Sequence, residues 1–252
     1  MGHTADMSTA SPATEPPAAT PSRAATTRDR VRAELIVEIK NVARRQLAEH
    51  GSAALSLRAV SREMGMVSSA VYRYFPSRDD LLTALIVDAY VAVADAVEQA
   101  DATRRRSDLS GRWLVMAHAL RSWALANPQE YALIYGSPVP GYRAPDDTID
   151  PAARVSLVFL RLISDGVATG KIAAGLPTPL PPAVRDDFEG LRALAGLDAP
   201  DAVVSRGLLV WTQLFGTVSF ELFGHLHNVI HDYDAFFDVQ VRRSGRYLLT
   251  GE

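Results

Sequence analysis

The stretch AVSREMGMVSSAVYRYFPSRDDLL, Ala59 to Leu82, holds two short helical patterns around one glycine, Gly65. Just before it Ser56 offers an N-cap, and Leu57, Val60 and Met64 then fall at inward helical spacing. Gly65 ends this helix. A second short helix, about Ser68 to Tyr74, turns Val71 inward, and Pro76 breaks it. Ser77 to Asp80 then forms a capping box that opens a long helix bearing Leu81, Leu82, Leu85, Ile86, Val93 and Val97. Two short helices joined at a glycine make a helix-turn-helix pattern, whose second helix enters the major groove of DNA. That helix starts with Ser68 and Ser69, short donors and acceptors suited to bases or phosphates. Its N-terminal N–H groups favour phosphate as well. Tyr72 and Tyr74 can donate to phosphate or pack on sugars. Arg73 can reach a phosphate or pair in two-point fashion with guanine, and Arg78 can hold the flanking backbone. Serines at a helix start also serve as plain caps, so the pattern alone leaves DNA binding and simple structure both open.

The charge distribution favours the first. The whole chain of 252 residues carries a net charge of −3. Between Arg28 and Arg78, however, ten Arg and Lys stand against five Asp and Glu, a net +5. The remainder has sixteen against twenty-four, a net −8. A basic N-terminal part on an acidic remainder places the anionic partner at one end. Upstream, Val31, Leu35, Ile39, Val42 and Leu47 give a helix from about Arg28 to His50, closed by Gly51. Residues 1–27 are Ala, Pro, Thr and Ser with almost nothing to bury, which predicts a disordered tail.

Downstream the chain stays helical. Ala102 to Gly111 reads as a polar connection, followed by helices at Trp113–Leu125, from Asn127-Pro128 to Tyr135, from Asp150-Pro151 to about Ala168, and at Ala183–Leu194. Long helices at about Asp201–His227 and Tyr233–Leu248 complete it, and no alternating strand pattern occurs. The fold class is all-α. No cysteine is present, so disulfides and thiolate chemistry are excluded. No apolar run approaches a membrane span, which predicts a cytoplasmic protein with no membrane partner.

The stretch LSLRAVSREMGMVSSAVYRYFPSRDDLL resembles the DNA-binding domain of the tetracycline-repressor (TetR) family. The shared features are Gly65, Tyr72-Arg73-Tyr74-Phe75, Pro76-Ser77-Arg78 and Leu81-Leu82. The likeness spans about Arg30 to Tyr90. It implies DNA contacts from Arg58, Ser68, Ser69, Tyr72, Arg73, Tyr74 and Arg78. Val67 stands where many members carry a polar cap, and Ala70 where many carry Thr; Ser68 is then expected to take the capping role. The resemblance also implies a homodimer on a palindromic double-stranded operator and a C-terminal part that binds a small effector. Residues 112–145 look like the C-terminal domain of one actinobacterial-type subgroup.

The expected organisation is a tail at 1–27, a three-helix DNA-binding domain at 28–76, and a helical effector-binding and dimerisation domain at 77–252. The expected function is a ligand-responsive repressor, with no cofactor and no catalytic activity. No nucleophile–base set, phosphate loop or dinucleotide fingerprint is present. The alternative is a small-molecule-binding helical protein without operator binding. An apolar or aromatic effector is expected among Trp123, Tyr131, Trp211 and Phe215, with His118 or Gln213 fixing its polar end. Those aromatics read equally as plain core. Dimer contacts are expected from Leu208, Leu209, Trp211, Leu214 and Phe215 with Phe236, Phe237 and Val241. His227 and His231 stand four apart, a metal-ligand spacing. Histidines at a helix C-terminus have a simpler reason to be there, so no metal is expected.

Overall fold

A computed structural model describes residues 23–175 and 179–251. Its helices are α1 Arg23–His50, α2 Leu57–Glu63, α3 Ser68–Tyr72, α4 Arg78–Ala102 and α5 Leu109–Ala126. They continue with α6 Pro128–Tyr135, α7 Ile149–Ala168, α8 Pro182–Ala195, α9 Asp201–Leu222 and α10 Tyr233–Thr250. No strand occurs among the described residues, so the all-α class holds. Of the expected tail, residues 1–22 lie outside the described residues. Arg23 to Thr27 belong to α1, because no proline or glycine interrupts the sequence between Pro21 and Gly51. The described residues divide into two units, one from residue 23 to 38 and the other from residue 39 to 251. Within the second, Lys40 and Arg44 both bind Asp88 of α4, and Arg44 also binds Glu130 of α6.

Helix ends follow side-chain chemistry. Ser77 accepts from the Asp80 N–H while the Asp80 carboxylate accepts from the Ser77 N–H, so the predicted capping box is formed. α5 starts four residues earlier than Trp113, because the Asp108 carboxylate accepts from the Gly111 N–H. α9 stops at Leu222 and not at His227. Gly224 adopts φ 76°, the His225 N–H reaches the Phe220 carbonyl at 2.9 Å, and the Gly224 N–H reaches that of Glu221 at 3.2 Å. This is a Schellman closure, and the Phe-Gly step that dictates it is written in the sequence. His227 and His231 therefore sit in the connection after α9. No cluster of three or more metal-ligating side chains occurs among the described residues.

The core of the later helices is apolar and aromatic. A run of ring contacts crosses it: Trp113 to Phe159, Phe159 to Trp211, Trp211 to Phe215, and Phe215 to Tyr135, with centroids 4.7–5.4 Å apart. Such offset and tilted pairs add to the area they bury. Buried arginines clamp helix pairs. Arg112 of α5 binds Asp101 of α4 and Asp165 of α7. Arg121 of α5 binds Glu221 of α9 and Asp234 of α10, with its guanidinium 5.0 Å from the Phe237 ring centroid. α10 approaches α5 at Gly245, where a Cβ would stand 2.5 Å from Cδ1 of Trp113. The Trp113 indole cannot step aside easily, since its N–H donates to the Val241 carbonyl at 2.8 Å. Gly245→Ala should therefore cost about 1–3 kcal/mol, read as a lower midpoint in thermal unfolding; an unchanged midpoint would show that the contact is slack.

Candidate nucleic-acid interface and effector site

α2 and α3 are held at a fixed angle by short-range chemistry. Leu57, Val60, Val71 and Phe75 are buried beneath them. Gly65 takes φ 65°, a left-handed turn suited to glycine, and the Met66 N–H then reaches the Ser61 carbonyl at 2.9 Å. The buried Ser61 hydroxyl donates to the Arg58 carbonyl and shares a hydrogen bond with the Ser68 hydroxyl at 3.1 Å. Ser68 is thus used to lock the two helices, and the capping role expected of it is not filled: Val67 is the N-cap, with no side-chain cap bond. Ser56 occupies the N-cap of α2 through its backbone alone. α3 ends at Tyr72, two residues short of the expected Tyr74, with Arg73 as its C-cap.

The cations of this region divide into two sets. Arg45 and Gln46 of α1 both bind Glu63, and those bonds hold the Glu63 carboxyl below its ordinary range. Arg78 donates to the Ser52 and Leu55 carbonyls, at 2.9 and 3.2 Å, so its guanidinium braces the turn before α2. Arg58, Arg62 and Arg73, by contrast, are exposed and make no ion pair among the described residues. Ser69 is exposed and Tyr72 is 41% exposed beside them, while Tyr74 is half-buried. Arg62 was not singled out in the sequence, although it stands one helical turn beyond Arg58. Three unpaired guanidiniums, a free hydroxyl and a tyrosine phenol, exposed on α2, on α3 and at the end of α3, are what a phosphate backbone and base edges require.

The six residues expected around an effector are spread over several contacts of the core. Tyr131 is fully buried, its hydroxyl hydrogen-bonded with the Ser219 hydroxyl at 2.9 Å. Phe215 and Trp211 belong to the ring contacts of the core. Trp211 also lines an apolar slot of about 190 Å³ between α7, α8 and α9. His118 packs edge-on to Phe237 with Nε2 3.4 Å from Asp238, and Gln213 bonds Gln240, so both serve α10. Trp123 is half-buried on α5. A larger cleft of about 760 Å³ lies elsewhere, between the α1–α2 turn and α6, with Tyr135 in its wall. Periodicity marks Tyr135 as one more core aromatic. Only the path of α6 brings it to this cleft.

A family model for bacterial regulatory proteins of the tetR family matches residues 39–85, and one for the tetracyclin repressor-like C-terminal domain matches residues 113–244. HTH-type transcriptional regulators of Mycobacterium bovis and Mycobacterium tuberculosis are 44% identical over 213 residues, covering 84% of this chain and 91% of theirs. The crystal structure of the regulatory protein SCO4313 is 38% identical, with a TM-score of 0.70, and the match covers 86% of this chain and 97% of that one. A protein of unknown function from Rhodococcus sp. RHA1 shares the fold, with a TM-score of 0.64 at 23% identity, over 85% of this chain and 95% of its own. With the exposed helix-turn-helix surface, these likenesses establish that the chain belongs to the TetR family of DNA-binding transcriptional regulators.

Proposed function

We propose that this regulator represses transcription from an inverted-repeat operator and is released by a small molecule. The observation that carries this reading is the set of unpaired arginines on α2 and α3. In it Arg58, Ser69, Tyr72 and Arg73 contact DNA, with Arg62 added. Ser68 and Arg78 position the two helices, and Tyr74 supports the end of α3. Residues 28–76 form the DNA-binding domain and residues 77–252 the effector and dimerisation domain. The protein works by binding, without a chemical step, in the cytoplasm beside its DNA. No described helix is long and apolar enough to cross a membrane.

Reading an inverted repeat takes a two-fold dimer. Leu214, Phe237 and Val241 are buried within the protomer, so the partner must meet other residues. Residues 209, 216 and 220 of α9 and its C-cap, residue 223, fall on one face, where Leu209, Phe220 and Phe223 are 51%, 53% and 45% exposed. A Cβ at Gly216 on that face would meet nothing within 4 Å. Val239 of α10, 50% exposed, lies on the neighbouring helix, which Gln240 ties to Gln213. Large apolar side chains left in water on two adjacent helices favour a self-complementary seam. The pair Leu209→Glu and Phe220→Glu should convert a dimer to a folded monomer in light scattering. It should also lower operator affinity sharply, because each half-site would be held alone. Persistence of the dimer would place the seam elsewhere. Failure of the parent to bind any DNA would leave only the small-molecule-binding alternative.

A further inference from the structure

We infer that the cleft between the α1–α2 turn and α6 is a ligand site for a neutral, largely apolar molecule bearing a hydrogen-bond acceptor, which Tyr135 receives. The inference rests on the proposed effector response and names its seat and chemical class. The cleft measures about 760 Å³, within the range of small-molecule sites. Leu47, Leu133, Val139 and Phe223 give it apolar walls, and no lining residue carries a charge. No lining side chain offers a counter-charge to a charged ligand, which favours a neutral occupant.

Tyr135 supplies the polar handle. Its ring is fixed between those of Tyr90, Tyr131 and Phe215, at 6.0, 5.2 and 4.7 Å between centroids. Its hydroxyl makes no hydrogen bond among the described residues. It is also absent from the sealed, unpartnered polar atoms, which are Gln46 Oε1 and Arg206 Nε and Nη1, so it is not closed off from solvent, and Tyr135 is among the residues that line the cleft. Burial pushes its acidity well below that of a free phenol, which keeps it a neutral donor. A rigid ring with an unspent donor at the wall of an uncharged cleft is a preorganised contact for a carbonyl or ether oxygen.

The cleft also touches the DNA-binding machinery. Gly51 and Ser52 line it, and the Ser52 carbonyl is one of the two acceptors that Arg78 braces. Arg78 in turn directly follows the cap that opens α4 after α3. A molecule pressing on this turn has contacts that differ with the setting of α2 and α3, which is what a ligand needs to shift their equilibrium. The slot beside Trp211 is smaller, and none of its lining residues comes from α1–α4.

The test is a fluorescence titration of the full chain with Nile red, a neutral dye bearing a carbonyl acceptor. Saturable binding is expected, weakened more than about tenfold by Ala132→Trp, which fills the cleft, and about 3- to 10-fold by Tyr135→Phe. Ser137→Trp fills the same cleft from the loop, in case the α6 variant does not fold. Ser156→Trp, in the α7–α9 slot, should leave binding unchanged, and anilinonaphthalene sulfonate, an anion, should bind about tenfold more weakly than Nile red. Binding lost in Ser156→Trp but kept in both cleft variants, tighter binding of the anion, or no saturable binding of Nile red would each overturn the inference. Operator binding measured without dye reports separately on the regulatory reading, which can stand or fall independently of the cleft.

Discussion

Replacing Arg58 and Arg73 together by alanine should lower operator affinity by roughly 30-fold to 20,000-fold, about 1–3 kcal/mol for each arginine. Both are exposed and without an ionic partner among the described residues, so nothing inside the fold is lost with them. The unfolding midpoint should therefore stay within experimental error of the parent, as is usual for surface changes. The salt dependence of binding should also flatten, by about one in slope for each phosphate contact removed. Gel shifts or anisotropy at several salt concentrations read both effects. A double variant that binds as the parent does would remove α2 and α3 from the interface. Arg45→Ala is the internal comparison, since that guanidinium is engaged with Glu63. It should change affinity far less.

Phe237→Ala should destabilise the protein by about 3–5 kcal/mol, lowering the thermal midpoint by roughly 6–20 °C for a chain of this size. The side chain is fully buried. Its ring lies 5.0 Å beneath the Arg121 guanidinium and 5.3 Å from the His118 ring. Truncation leaves a cavity at the junction of α5, α9 and α10 and strips the cation of its aromatic face. Calorimetry measures the loss. A shift of under about 2 °C would mean that α10 is not seated as described, and that Phe237 serves an interface between protomers after all.

Much of the fold was legible because its punctuation is local. Ser77 and Asp80, Asn127-Pro128, Gly51 and Gly65 each mark a helix boundary through bonds made within a few residues. The Schellman closure at Gly224 is equally local and was legible in principle, yet the long apolar run before it pointed to a longer helix. The DNA surface was legible in part. The spacing within Ser68 to Arg73 identifies the helix, but which hydroxyls and guanidiniums remain free depends on contacts across the fold. Ser68 is bound to Ser61 and Arg78 to the carbonyls of a distant turn, and neither bond is readable from spacing. The aromatics were least legible. Trp211, Phe215 and Tyr131 look alike in sequence as core or pocket, and only the path of α6 separates them from Tyr135 at the cleft. The same holds for the proposed dimer face, because Leu214 and Phe237 cannot be told from Leu209 and Phe220 until the helices are packed.

The central claim is that α3, presented twice by a symmetric dimer, reads an inverted repeat. Its most direct test is a selection from fragmented genomic DNA with the purified protein, followed by sequencing of what is retained. The account predicts one enriched inverted repeat, with half-sites about one helical turn apart, near 34 Å, or a multiple of that spacing, and loss of that enrichment in the Arg58→Ala, Arg73→Ala variant. Retention of DNA with no enriched repeat, or the same repeat recovered by the double variant, would contradict it.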